Sequence, residues 1–565
     1  MPAKPWKFGL IASAAAVLLT STAYADTIVL RGARVLTMDD ARPEAEAIAL
    51  VDGKIAAVGS TADMEPYLKD AAVYELPSTA LVMPAFQDAH NHLVWSSAQA
   101  EDISLADVSD EAGLRAAIEP VMATLPEGAW LRGGGWSVAV YKDPSASVLD
   151  KITGDRPAYF DDVDGHSGWA NSAALKAAGI TAETKDPEGG RIERDANGNP
   201  TGMLREKAMA LVQDIMPEYP ESQVDTGLEK AQAEAVSYGI SAIIDPGLED
   251  WMIKGYQRAD AAGKLKLRVK AAIPIDAAEG VAGVQRTLDL QKQYASPHFQ
   301  IDSVKLFVDG VIETGTAALL EAYVGSNSAG DLLFTPEQIN EVATAADKAG
   351  LQLHFHAIGD RAVRVALDAS EAAQKANGTT DRRPQITHLE LVDPADVGRF
   401  APLGVTATIQ ALWAYPETYI VDLTEPVLGP ERSEWLYPFG ALKKAGARIA
   451  GASDWSVSSM NPLEAIQIGV TRQDPEDPKG RVLTPEHRLE LDDMLRAYTV
   501  NAAYSAFDEA NSGTLTAGKR ADVIVLDKDL TKIPPTEIDS AKVMLTLIDG
   551  EAVYREERLP APAKQ

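Results

Sequence analysis

Residues 83–95 read MPAFQDAHNHLVW, an apolar run that ends in two histidines, His90 and His92, one residue apart. In a β-strand, side chains two positions apart point to the same face. Two imidazoles on one face at a strand's end suit a shared metal ion. Taken alone, the pair also fits one buried and one surface histidine, so the rest of the chain has to decide.

Working outward, seven more apolar, β-branched runs follow: GISAIIDPG (239–247), LKLRVKAAIPI (265–275), DSVKLFVDG (302–310), LQLHFHAIG (351–359), PQITHLEL (384–391), VTATIQALW (405–413) and ARIAGASDW (447–455). With TALVMPAFQDAH (79–90) they make eight. Helical patterns separate most of them, which is the signature of βα units and a parallel sheet. Eight such units close a (β/α)8 barrel, so the expected class is α/β, a TIM barrel over residues 81–509. The helix TPEQINEVATAADKAG (335–350) illustrates the local chemistry. Thr335 caps it, Pro336 takes the first helical position, Gln338 completes a capping box and Gly350 ends it.

The two ends of the chain look alike. TIVLRGARVLTMDD (27–40) and AIALVDGKIAAVGS (47–60), then GTLTAGKRADVIVLDKDL (513–530) and KVMLTLIDGEAVYRE (542–556), read as short antiparallel strands around turns. A small β-sandwich domain formed from both termini, residues 26–80 and 510–560, is the expectation, with two independent β-domains as the alternative. A cap-like insertion at about residues 95–225 separates the first two barrel strands. It would sit over the C-terminal mouth of the barrel, where active sites are built.

Bulk properties narrow the function. The 565 residues carry a formal charge of −31 and no Lys/Arg-rich run, which excludes nucleic acid as a natural partner. A small-molecule substrate is expected, and a homo-oligomer stays open. The segment MPAKPWKFGLIASAAAVLLTSTAYA (1–25) has the lysines, the short apolar core and the A-x-A site of a signal peptide. The expected location is therefore secreted, periplasmic in a Gram-negative source, with no membrane contact after cleavage. The absence of cysteine removes thiolate nucleophiles and Cys–zinc sites, leaving histidine, carboxylate or modified lysine to hold any metal.

The chain has eight histidines, and five fall in or at the ends of the proposed barrel strands. His90 and His92 end the first, His354 and His356 lie in the fifth, and His388 ends the sixth. Asp454 ends the eighth. Lys305 lies inside the fourth between Val304 and Leu306, where a bare ammonium must be neutralised, paired or modified. Strand ends of a barrel converge on one axis, so the joint pattern favours a metal centre over separate core histidines. His354 shares a face with His356 but lies deeper, and reads as packed interior. His298 and His487 read as surface. Asp360 reads as the cap of the helix DRAVRVALDAS, and Trp136, Trp169 and Trp413 as pocket lining or, more commonly for aromatics, core.

The ordered motifs PAFQDAHNHL, DGHSGWANSAAL, KLFVDG, HAIGDRAV, THLELV, GASDWS and the tail LRAYTVNAAYSAF…GTLTAGKRADVIVLD span nearly the whole chain beyond residue 25. In them the chain resembles the metal-dependent amidohydrolase superfamily, in the amidohydrolase family 3 branch that includes N-substituted formamide deformylase. The one departure is Pro-Ala-Phe where that branch usually has Pro-Gly-Phe. The resemblance implies two divalent metal ions, zinc by default, with His90 and His92 on one and His356 and His388 on the other. It further implies a CO2-derived carbamate on Lys305 bridging them, although an unmodified lysine and a single ion are alternatives. Asp454 would be both metal ligand and general acid–base, and His166 would bond the scissile carbonyl oxygen or another polar substrate group. The implied reaction is hydrolysis of an amide, formamide or carbamate C–N bond by a metal-activated water. Ester or lactone cleavage, decarboxylation and isomerisation use the same ligand set, whereas a periplasmic binding protein would need no converging ligands.

Overall fold

The computed structural model describes residues 27–564 apart from positions 101, 107, 127 and 188, so the expected signal peptide, 1–25, lies outside the described residues. Its centre is an eight-stranded, all-parallel sheet in which the strands follow one another in chain order. The strands are Phe86–Asp88, Ile240–Pro246, Arg268–Pro274, Phe299–Phe307, Gln352–Ala357, Gln385–His388, Thr406–Ile409 and Arg448–Gly451, numbered one to eight below. Seven of the expected runs contain one of them, and the run 302–310 overlaps the fourth, which starts three residues earlier at Phe299. The ring closes where the Ala89 N–H, just past strand one, donates to the Gly451 carbonyl of strand eight at 3.0 Å.

The first run differs from the sequence reading, because it is two strands. Leu81–Pro84 pairs with Thr27–Leu36 and with Val523–Leu526, whereas only Phe86–Asp88 enters the barrel. The partner changes at Ala85, whose N–H donates to the Asp522 carbonyl, while the next N–H, of Phe86, donates to Gly239. Pro84 has no N–H to continue the outer ladder. His90 and His92 accordingly stand beyond the strand, on the turn that leads into the helix Leu93–Gln99.

Both ends of the chain enter a single nine-stranded sheet. Its first strand bends at Gly32 (φ 93°), where a Cβ would stand 2.6 Å from the Leu76 carbonyl oxygen. Before the bend it pairs with Ala72–Glu75 and after it with Leu81–Pro84. The sheet thereby folds over a core that includes Ile28, Leu30, Val82, Val523 and Leu545. The insertion carries a six-stranded sheet of its own between Ile103 and Glu206. Trp136 and Trp169 are its core, packed edge to face at 5.7 Å, with the Trp136 Nε1–H donating to the Phe160 carbonyl. Both are fully buried, as core.

The helix Pro336–Ala349 has the expected cap, capping box and left-handed Gly350. Three local expectations fail. Gly359, not Asp360, is the cap of the helix Asp360–Asn377, and the Asp360 carboxylate accepts from the N–H groups of Leu320 and Arg361. His487 is buried against Trp435 and bonded to the Glu434 carbonyl. His298 is half-buried, with Nδ1 bonded to the Leu265 carbonyl. In each imidazole one ring nitrogen is bonded to a backbone carbonyl, a partner that polar flanking sequence does not reveal. Among the described residues, no helix is long and apolar enough to cross a membrane.

The helix Leu93–Gln99, which starts at His92, packs on the helix Glu221–Ser237. A Cβ on Gly227 would stand 2.2 Å from the Ser97 carbonyl oxygen. Gly→Ala in an open helix stabilises by about 1 kcal/mol. Here Gly227→Ala is expected to destabilise by about 1–3 kcal/mol through overpacking. A thermal melt reads the sign, and an unchanged or raised Tm contradicts the packing described.

Candidate metal centre

The turns that leave strands one and eight are laced together by two backbone bonds. The Asp454 N–H donates to the His90 carbonyl at 2.8 Å, and the His92 N–H donates to the Trp455 carbonyl at 2.9 Å. The buried Asp88 carboxylate ties the same turns from below. It accepts from the N–H of His90, the Nδ2 of Asn91, and both the N–H and hydroxyl of Ser453. Asp454 adopts a left-handed backbone (φ 57°) that turns its carboxylate toward the histidines. As a result, Asp454 Oδ1 lies 3.2 Å from His90 Nε2 and 3.1 Å from His92 Nε2. Ligand atoms of His90, His92 and Asp454 all fall within 4.8 Å of one another, a group able to hold a metal ion.

The other expected residues stand around this trio. His388 Nδ1 lies 3.7 Å from Asp454 Oδ2, and its ring centroid is 5.2 Å from that of His90. The His356 ring is 4.5 Å from His388, with its Nε2 3.3 Å from the Gly310 carbonyl oxygen. Lys305 is fully buried near the end of strand four, its Nζ 4.7 Å from the centre of the Phe307 ring. His354 is buried as expected, but it also has a partner. Its Nε2 lies 2.8 Å from His90 Nδ1, leaving His90 Nε2 for the cluster. Trp413 stacks on His388 at 5.5 Å and 5°.

The donor set suits a metal. His90 Nε2, His388 Nδ1, Asp454 Oδ1 and Lys305 Nζ are buried and lack a hydrogen-bond partner. Unpaired buried polar atoms are costly and uncommon in native folds, and four at one place indicate a missing common partner. Burial holds His90, His356 and His388 well below the usual histidine range, which favours the neutral imidazole that a metal ion would need. Burial opposes ionisation of Asp454, but the surrounding His90, His92 and His388 outweigh it and keep the carboxylate ionised. Burial also pulls the Lys305 amine down to about 7.

His166 comes from the insertion, and its ring lies against that of His356, centroid to centroid at 4.9 Å and tilted by 44°. Its Nδ1 lies 2.8 Å from Glu206 Oε2. Burial lowers its basicity, yet the charge and hydrogen bond of Glu206 prevail and raise it to about 10. Glu206 in turn accepts from the Thr316 hydroxyl in the loop after strand four, and so locks the insertion onto the barrel.

Asp88, Glu206 and the His354–His90 contact have no role in the sequence reading. Asp88 precedes His90 by two residues, so its position was a usable signal. Glu206 ends an ordinary strand and carries none, because its partner His166 lies 40 residues away in sequence.

The chain matches the model of the amidohydrolase family over residues 79–554. It is 32% identical to the protein LONG AFTER FAR-RED 3 of Arabidopsis thaliana, over 94% of this chain and 92% of that protein. It is 28% identical to the N-substituted formamide deformylase of Arthrobacter pascens, over 93% and 98%. Among solved structures, a metal-dependent hydrolase of Pyrococcus horikoshii shares the fold with a TM-score of 0.71 at 22% identity, covering 90% of this chain and 99% of that one. The chain belongs to the amidohydrolase family and is a hydrolase of carbon–nitrogen bonds.

Proposed function

We propose that this enzyme cleaves the amide, formamide or carbamate bond of a small molecule. In this reading His90, His92, His356, His388, Asp454 and a carboxylated Lys305 hold two divalent ions, zinc by preference for nitrogen and oxygen donors. The observation that carries it is the cluster of buried, unpartnered donor atoms at or just beyond the ends of strands that are far apart in sequence. The formamide option comes from the deformylase relative. Export to the periplasm is part of the proposal and rests on residues 1–25 alone.

When bound, the ions would acidify a water and polarise the substrate carbonyl. The remaining work falls to side chains. Asp454, ionised and within reach of the centre, takes the proton of the attacking water and delivers it to the leaving amine. His166 is kept protonated by Glu206, so a ring N–H is available to bond the carbonyl oxygen as negative charge develops there. Lys305 acts before turnover. Its neutral amine adds to CO2, forming an N–C bond and releasing one proton, which converts a buried cation precursor into an anionic ligand. The Trp413 face stacked on His388 shields that side of the centre from water.

Metal analysis of the purified protein is expected to show bound divalent metal, with turnover of N-formyl, N-acyl or carbamoyl amines lost to a chelator and restored by zinc. His90→Ala and Asp454→Asn should each cut kcat/KM by about 10²–10⁴-fold with an unchanged circular dichroism spectrum. Wild-type rates in both variants would overturn the assignment.

The Lys305 step predicts a pH dependence. Only the neutral amine reacts with CO2, and its fraction grows as pH rises through about 7. Reconstitution of chelator-stripped enzyme should therefore be faster with added bicarbonate, and more so at pH 8 than at pH 6. Reconstitution indifferent to bicarbonate at both values argues for an unmodified lysine.

A further inference from the structure

His354 has no part in the hydrolysis described, although it stands beside the centre. Strand five puts Gln352, His354 and His356 on one face, because side chains alternate along a strand. His356 is nearest the rim, and His354 lies one layer deeper, fully buried in the barrel. In the ladder it is flanked by Lys305 of strand four and Gln385 of strand six. The Gln385 amide is engaged elsewhere: it donates to the Gln352 side-chain oxygen, and its own oxygen accepts from the Thr408 hydroxyl. The His354 ring meets His90 instead, with centroids 4.9 Å apart and Nε2 2.8 Å from His90 Nδ1.

That contact bears on which nitrogen of His90 carries its proton. A neutral imidazole is a donor at one nitrogen and an acceptor at the other. His90 Nε2 lies 3.2 Å from Asp454 Oδ1, yet neither atom makes a hydrogen bond. A proton on Nε2 would be buried without a partner, whereas a proton on Nδ1 meets the lone pair of His354 Nε2. The bond made by one ring nitrogen sets the state of the other, so Nε2 keeps its lone pair free beside His92 and Asp454. Packing alone does not account for an imidazole at this place. Leucine would fill comparable space without the buried, unpartnered Nδ1 that His354 brings.

We propose that His354 is a positioning residue: its Nε2 accepts the His90 Nδ1–H, fixing the ring orientation of His90 and the nitrogen it offers to a metal ion. The inference deepens the metal-dependent reading and rests on it. Ligating histidines commonly bond their second nitrogen to a carboxylate or a carbonyl. Here a neutral ring held by a barrel strand takes that place, so His90 is oriented without a further negative charge beside the trio.

The test measures zinc affinity, by competition with a chromogenic chelator, in the wild type, His354→Leu and His354→Gln. Leucine keeps the bulk and removes the acceptor, whereas the glutamine amide oxygen reaches the place of Nε2. His354→Leu is expected to weaken zinc binding by about 10–100-fold, and His354→Gln to stay within about threefold of the wild type. Thermal melts establish that both variants fold. Nitrogen NMR of the zinc-loaded enzyme with labelled histidine should place the His90 proton on Nδ1, coupled through the hydrogen bond to His354 Nε2. His354→Leu should lose that coupling. Unchanged affinity in His354→Leu, equal losses in the two variants, or an uncoupled Nδ1 in the wild type overturns the inference. Should His354→Leu fail to fold, His354→Gln and the wild-type spectrum decide. If the wild type binds no zinc, the metal reading falls, and the spectrum of the metal-free protein decides the role of His354 separately. A coupled Nδ1 proton supports that role, and its absence rejects it.

Discussion

The seam between strands one and eight is crossed by few backbone bonds, and the buried Asp88 carboxylate supplies most of what else holds it. Four donors from the two flanking turns converge on its oxygens, and burial pushes it up to about 6. A desolvated carboxylate is costly alone, but with its lone pairs filled it binds the turns that carry His90, His92 and Asp454 into one unit. Closing the barrel and assembling the ligand trio are consequently the same event. A register slip at the seam would part Asp454 from both histidines.

The device recurs around the mouth. Asp245, near the end of strand two, accepts from the Tyr256 hydroxyl and weakly from the Val94 N–H at the start of the helix behind His92. Asp309, past strand four, gathers the N–H groups of Ala318, Ile358 and Gly359 and so fixes the turn that follows His356. Parallel strands leave unpaired N–H groups where they give way to loops, and an inward-facing aspartate collects them without requiring a bulky side chain. These bonds tie the loops at the catalytic end to the strands they follow.

Electrostatics divides the histidines into two kinds within a few ångströms. Burial holds His90, His356 and His388 well below the usual histidine range, which suits them to ligation. His166, brought by the insertion, has a carboxylate partner and keeps its proton, although its ring stands only 4.9 Å from that of His356. The difference lies in Glu206, whose second oxygen is anchored to the barrel by Thr316. The insertion therefore borders the centre, and its docking sets the protonation of His166.

Much of this was legible in the linear chain. Alternating strand and helix periods specify the parallel barrel, because one-face burial imposes those periods directly on the order of residues. The placing of His90, His92, Lys305, His356, His388 and Asp454 at strand ends announces a common site, since every strand of such a barrel ends on one rim. What the order of residues does not encode is pairing across distance. The change of partner at Ala85, the burial of His487 and the grip of Glu206 on His166 depend on carbonyls and carboxylates brought close only by the closed fold. Local chemistry set the elements and the ligand types; tertiary packing set the charges those groups carry, because charge depends on what has been excluded from around them.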